Sequence, residues 1–232
     1  MFSYYGSKSK LINYYPAPKY DTIIEPFAGS ARYALKYFDR DVILCDKYEI
    51  VARIWKFLQQ CSPGDIYGLP DLKQGDKIDR EEYDCIEMAW LMGFMIKQGG
   101  CTPDLTMSKW GEVNYNRSKK RVAESLFKIK HWTIIHGEYT DLKNIPATWF
   151  IDPPYQIAGQ RYRHSAKDID FNTLATWCKS RKGQTIVCES AGANWLPFVP
   201  LKRMNGLIRS TTDVIYTNEK TPYNNKQLQL LL

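Results

Sequence analysis

The segment Trp149-Phe150-Ile151-Asp152-Pro153-Pro154-Tyr155 sets an acid, two prolines and an aromatic ring directly behind a short apolar run. Prolines lack an N–H and hold φ fixed, so the loop they form is stiff. Asp152 and the Pro153 carbonyl are then acceptors in search of a donor, and Tyr155 adds a flat face. Two acceptors beside one ring suit an exocyclic amino group on an aromatic base. A rigid turn with a surface tyrosine is the plainer reading of the same residues.

A second constellation, Glu25-Pro26-Phe27-Ala28-Gly29-Ser30-Ala31, follows the apolar pair Ile23-Ile24. Small residues where a strand turns into a helix leave the backbone open to a ligand, and parallel sheets bind ligands at the carboxyl ends of their strands. Helix–strand packing alone also demands small residues there. The next apolar run ends in Asp46, whose carboxylate could accept both hydroxyl protons of a ribose or cap the helix that follows. Together the turn and the acid favour a cofactor that contains adenosine.

The elements that must position these residues alternate. Asp21–Glu25 and Asp41–Asp46 read as buried strands, each followed by a helix (about Ala31–Phe38 and Ile50–Gln60). Such alternation predicts a parallel sheet with helices packed on it. From Cys61 to about Lys130 it stops: Pro/Gly punctuation, a helix near Arg80–Lys97, a Gly99-Gly100 break and a polar, hairpin-like stretch suggest an inserted subdomain. It resumes with strands at Trp132–His136, Trp149–Asp152 and Thr185–Glu189 and a helix at Asn172–Ser180. A last strand pair is expected near Ile208–Ser210 and Val214–Tyr216.

Composition narrows the function classes. The longest apolar run, Met88–Ile96, has nine residues, against the roughly 20 of a membrane helix. No apolar segment marks a secretory signal near the N-terminus. No two of the six cysteines are closer than ten residues and the three histidines are scattered, so neither a zinc knuckle nor any other metal site is expected. Lys and Arg exceed Asp and Glu by 32 to 25, and seven of the basic residues fall between Leu105 and Lys130 against only Glu112 and Glu124. That clustering fits a polyanion-binding surface or a solvated helix face.

The order Tyr5-Gly6-Ser7-Lys8, then Glu25 to Ser30, a strand-end Asp46 and a late Asp152-Pro-Pro-Tyr155 resembles the Dam-type (D12 class, α-group) DNA adenine-N6 methyltransferases over most of the chain. The resemblance implies an α/β, Rossmann-like sheet with helices on both faces, formed by residues 1–60 and 131–232. It also implies a small, mostly helical target-recognition insert with a β-hairpin at 61–130. S-adenosylmethionine would be held by Tyr5, Gly6, Lys8, Glu25, Pro26, Phe27, Gly29 and Ser30, with Asp46 on the ribose and Glu138 and Tyr139 beside the adenine. Asp152, Pro153, Pro154 and Tyr155 would form the catalytic loop.

The implied partner is double-stranded DNA, bound by a monomer in the bacterial or phage-infected cytoplasm, with the target adenine flipped out of the helix. Thr106, Ser108, Lys109 and Trp110 occupy the base-reading stretch, and Gly111-Glu112-Val113-Asn114 matches the recognition hairpin. Arg117, Lys119 and Lys120, with Arg161 and Arg163 from the loop after Tyr155, would hold phosphates. Two positions depart from the family: Ala31 ends a turn that usually closes Gly-x-Gly, and Thr106 stands where GATC-reading members carry a base-contacting arginine. A cytosine-N4 or RNA methyltransferase, a relative transferring another group, and a DNA-binding relative without catalysis share these motifs.

Overall fold

The computed structural model describes residues 1–83, 85–97, 99–109, 111–205 and 210–219. Seven strands, β1 (Thr22–Glu25), β2 (Asp41–Asp46), β3 (Thr133–His136), β4 (Ala147–Ile151), β5 (Gly183–Ser190), β6 (Val199–Asn205) and β7 (Ser210–Thr217), form one sheet in the order β3-β2-β1-β4-β5-β7-β6. The first five run parallel, while β7 is antiparallel to both β5 and β6. Of the strand expected at Ile208–Ser210, Ser210 opens β7, and β6 lies upstream of it. Ile208 and Arg209 lie outside the described residues.

Strands β1 and β4 read as unbroken apolar runs because both their faces are covered. Successive side chains go to opposite layers: Ile23 and Phe150 join one core, while Ile24, Trp149 and Ile151 join the other. The first core is closed by α2 (Glu49–Gln60) and by α4 (Ile86–Ile96) and α5 (Gly111–Ala123) beyond it; α6 (Phe171–Lys179) closes the second. Helices therefore pack on both faces. The chain moves outward from β1 to β2 and β3, then returns to the far side of β1 for β4. That reversal parts the loops after β1 and β4 and opens a crevice between them.

Residues 61–130 form α3 (Pro63–Tyr67), α4 and α5. Their buried side chains Ile66, Phe94, Tyr115 and Val122 share the first core with Leu44 and Trp55. The recognition hairpin expected at Gly111–Asn114 is not there: these residues are the first turn of α5. The reason is periodic, since Tyr115, Ser118, Lys119 and Val122 recur at helical spacing and all are buried, which a strand alternating every second residue could not achieve. Lys119, expected to meet a phosphate, is buried as well. Its ammonium turns inward to the Leu69 carbonyl at 2.6 Å and Asp71 at 3.2 Å, away from any phosphate outside.

Two outcomes follow from this packing. Lys119→Ala leaves the Leu69 carbonyl without its donor, so it should cost about 1–3 kcal/mol of stability in urea unfolding and leave nucleic-acid affinity unchanged. At Gly93, in the middle of α4, a Cβ would come within 2.6 Å of the Asp104 carbonyl oxygen. Gly93→Ala should therefore destabilise by about 1–3 kcal/mol, although alanine is the better helix former by roughly 1 kcal/mol.

Candidate active site

The crevice holds a cavity of about 300 Å³ at the carboxyl ends of β1, β2 and β4. All eleven residues assigned from the sequence to the cofactor line it, as do Asp152 and Pro154. They come from four separate stretches of chain: the N-terminal Tyr-Gly-Ser-Lys, the turn after β1, the end of β2 and the loop after β3. Pro153 and Tyr155 are not among its lining residues.

The turn after β1 is held by buried carboxylates. Glu25, the last residue of β1, accepts the Ala34 N–H at 2.6 Å and so serves the first turn of the short helix α1 (Arg32–Lys36). Asp46 accepts the Gly29 N–H at 2.9 Å with one oxygen and the Tyr48 N–H at 2.8 Å with the other. It thus shapes the turn and opens α2 at once, with a second lone pair left on each oxygen. From the opposite side Trp55 donates to the Gly29 carbonyl at 3.0 Å. Ala31 pays for the departure from Gly-x-Gly with a left-handed backbone, φ 45°, while its methyl is buried in the core.

Burial raises both acids, Asp46 to about 6 and Glu25 to about 8. At the outer end of the cavity the Phe27 and Tyr139 rings lie 5.5 Å apart, and Glu138 pairs with Lys47 at 2.8 Å.

At the inner end Lys8 forms an ion pair with Asp152 Oδ2 at 2.8 Å, also donates to the Gly6 carbonyl at 2.8 Å, and lies 4.7 Å over the Tyr155 ring. Burial raises the Asp152 carboxyl and the Lys8 charge opposes it; burial lowers Lys8, yet Asp152 holds the ammonium above its ordinary range. Asp152 Oδ1 is buried and has no hydrogen-bond partner among the described residues. An acceptor so placed is costly unless a donor arrives, and it is the atom of the cavity best suited to receive one. The Tyr155 hydroxyl reaches Asp213 of β7 at 3.5 Å.

Three residues that matter here carry no signal in the sequence. Tyr162, in the loop after Tyr155, donates to the Tyr5 carbonyl at 3.3 Å. Its hydroxyl also fills the space a Cβ at Gly6, φ +72°, would need. Glu189 and Asp213 reach the catalytic loop from β5 and β7, strands whose carboxylates look like any others.

The polyanion candidates do not converge on the cavity. Thr106, Ser108, Lys109, Arg117 and Lys120 are exposed and Asn114 is half-buried, on and before α5. Arg161 and Arg163 are exposed in the loop after Tyr155. Trp110 lies outside the described residues. Among the described residues no helix is long and apolar enough to cross a membrane, and no group of three acidic, histidine or cysteine side chains is placed to hold a metal.

No protein-family model and no curated protein matches the chain. Several solved structures align with it loosely. One is a conserved hypothetical protein from Streptococcus pyogenes, at 13% identity over 92% of this chain and 96% of that one, TM-score 0.39. Another is a candidate methyltransferase from Escherichia coli (yhhF), at 9% identity over 92% and 81%, TM-score 0.40. A third is a candidate methylase from Haemophilus influenzae, at 13% identity over 86% and 80%, TM-score 0.38. Superpositions this loose say nothing about activity.

The buried Glu25 makes a pH-dependent claim. Its carboxyl moves from an ordinary 4.5 to about 8 in the fold, so between those values the folded chain holds a proton the unfolded chain has lost. Stability contributed by this group is therefore present at low pH and lost as pH rises through that window. Glu25→Gln keeps an acceptor for the Ala34 N–H and removes the titration. The melting temperature of the variant relative to the parent should climb from pH 5 to about pH 8 and level off above it.

Proposed function

We propose that the chain transfers a methyl group from S-adenosylmethionine to the N6 amino group of adenine in DNA. The observation that carries this reading is the meeting of four cofactor segments and Asp152 around one cavity, with Asp152 Oδ1 buried and unsatisfied at its inner end. The residues present suit the cofactor. Asp46 keeps lone pairs for ribose hydroxyls, Gly29 and Ser30 present a small-residue turn, and Phe27, Tyr139 and Glu138 offer two rings and an acid for an adenine. The bound cofactor would supply an electrophilic methyl group.

The chain's own part is to prepare the amine. An N6 nitrogen is conjugated into its ring, and its lone pair is a poor nucleophile. Hydrogen bonds from its two protons to Asp152 Oδ1 and the Pro153 carbonyl favour a tetrahedral nitrogen and free that pair for in-line attack. Lys8 opposes the burial that raises the Asp152 carboxyl and fixes its other oxygen. Tyr155 would stack on the base once it has left the duplex, and Arg161 and Arg163 would meet phosphates beside it. On α5, Arg117 and Lys120 remain candidates for backbone contacts. Metal and covalent cysteine have no part in this scheme.

Incubation with DNA and labelled S-adenosylmethionine, followed by nucleoside analysis, tests the reading. N6-methyldeoxyadenosine is expected. Label in N4-methyldeoxycytidine, or in RNA alone, would move the activity to another substrate, and label in neither would end the proposal. Asp152→Asn keeps the shape of the side chain and removes its charge. It should lower kcat by about 10²-fold or more, while calorimetry finds cofactor affinity within about threefold of the parent.

A further inference from the structure

We infer that Glu189 is the positioning residue of the catalytic loop, holding the peptide between Tyr155 and Gln156 in one orientation. The inference rests on the methyl-transfer reading of that loop and names a residue outside it. Glu189, near the end of β5, is fully buried. One carboxylate oxygen accepts the Gln156 N–H at 2.6 Å and the Trp195 indole N–H at 3.1 Å; the other accepts the Ser190 N–H at 2.7 Å.

The Gln156 N–H belongs to the same peptide plane as the Tyr155 carbonyl, and that carbonyl accepts the Gly159 N–H at 2.7 Å. Both polar atoms of a single peptide are thus fastened, one by a side chain from β5 and the other by the loop itself. The loop can close so tightly because Gly159 lies against Pro154, where a Cβ would come within 2.6 Å of backbone. Upstream, Pro153 and Pro154 fix two φ angles. The Tyr155 Cα is then held from both directions, and the ring it carries is set between Lys8 and Asp213. Charge-assisted bonds are the strong ones. A glutamine could not repeat them, since whichever way its amide turns, its NH2 meets backbone N–H groups donor to donor and the charge that strengthens every bond is gone. An aspartate would be one methylene short.

Glu189→Gln, with Trp195→Phe as its control, separates positioning from simple stability. Trp195→Phe removes one donor from the same carboxylate and leaves the fastened peptide alone. In Glu189→Gln, hydrogen exchange at the Gln156 amide should quicken about tenfold or more. Its kcat on DNA should fall on the order of 10²-fold, the scale of a misplaced catalytic group, with KM for S-adenosylmethionine within about twofold. In Trp195→Phe, exchange at Gln156 and kcat should stay within about twofold of the parent, even where its melting temperature falls as far. Equal losses of kcat in the two variants at matched melting temperatures, or unchanged exchange at Gln156 in Glu189→Gln, would overturn the inference. Should the parent protein methylate nothing, the functional reading falls, and the exchange result by itself then decides whether Glu189 fastens the loop.

Discussion

A parallel sheet ends in loops whose first N–H groups have left the ladder and lie too deep for water. This chain meets that constraint with carboxylates. Glu25, Asp46 and Glu189, at or near the carboxyl ends of β1, β2 and β5, are each spent on backbone N–H groups of the loops and helices at that edge of the sheet, their own or a neighbouring strand's. Asp152, one residue past the end of β4, is the exception. Its neighbours are prolines with no N–H to offer, so one oxygen goes to Lys8 and the other to nothing among the described residues. The acid that would do chemistry is thus the one the local backbone cannot satisfy.

The same contrast explains the electrostatics of the cavity. Three acids are stabilised mainly by backbone dipoles, while the fourth is stabilised by a buried cation. Removing Lys8 would leave a buried charge without compensation, a far larger perturbation than losing an exposed ion pair. Burial thus raises both carboxyls, but only Asp152 has a cation directly against it to oppose the shift, while Glu25 is pushed to about 8.

Much of this architecture was legible in the sequence, for physical reasons. Strands covered on both faces are continuous apolar runs, so β1, β2, β4 and β5 stand out, and punctuation by Pro, Gly and small residues marks the loops that make the site. The α5 region was misread because Gly111-Glu112-Val113-Asn114 is too short to show a period. The deciding signal lies further on, in Tyr115, Ser118 and Val122, and two of those three are polar enough to disguise a buried face. Lys119 misled for a related reason: a lysine in a basic cluster looks solvated, and only the Leu69 carbonyl and Asp71, some fifty residues away, show that it is not. Tyr162 and Glu189 were invisible because their meaning is entirely in what they touch.

The contact between Tyr162 and Gly6 reaches beyond this one chain. With the hydroxyl resting where a side chain at position 6 would begin, the two sites share a single volume although 156 residues separate them in sequence. Substitution at one is therefore not neutral with respect to the other. Among homologues, a residue larger than glycine at position 6, already strained by the positive φ there, should occur only beside a smaller one at 162, leaving a covariation signal between the N-terminal Tyr-Gly-Ser-Lys segment and the loop behind the prolines.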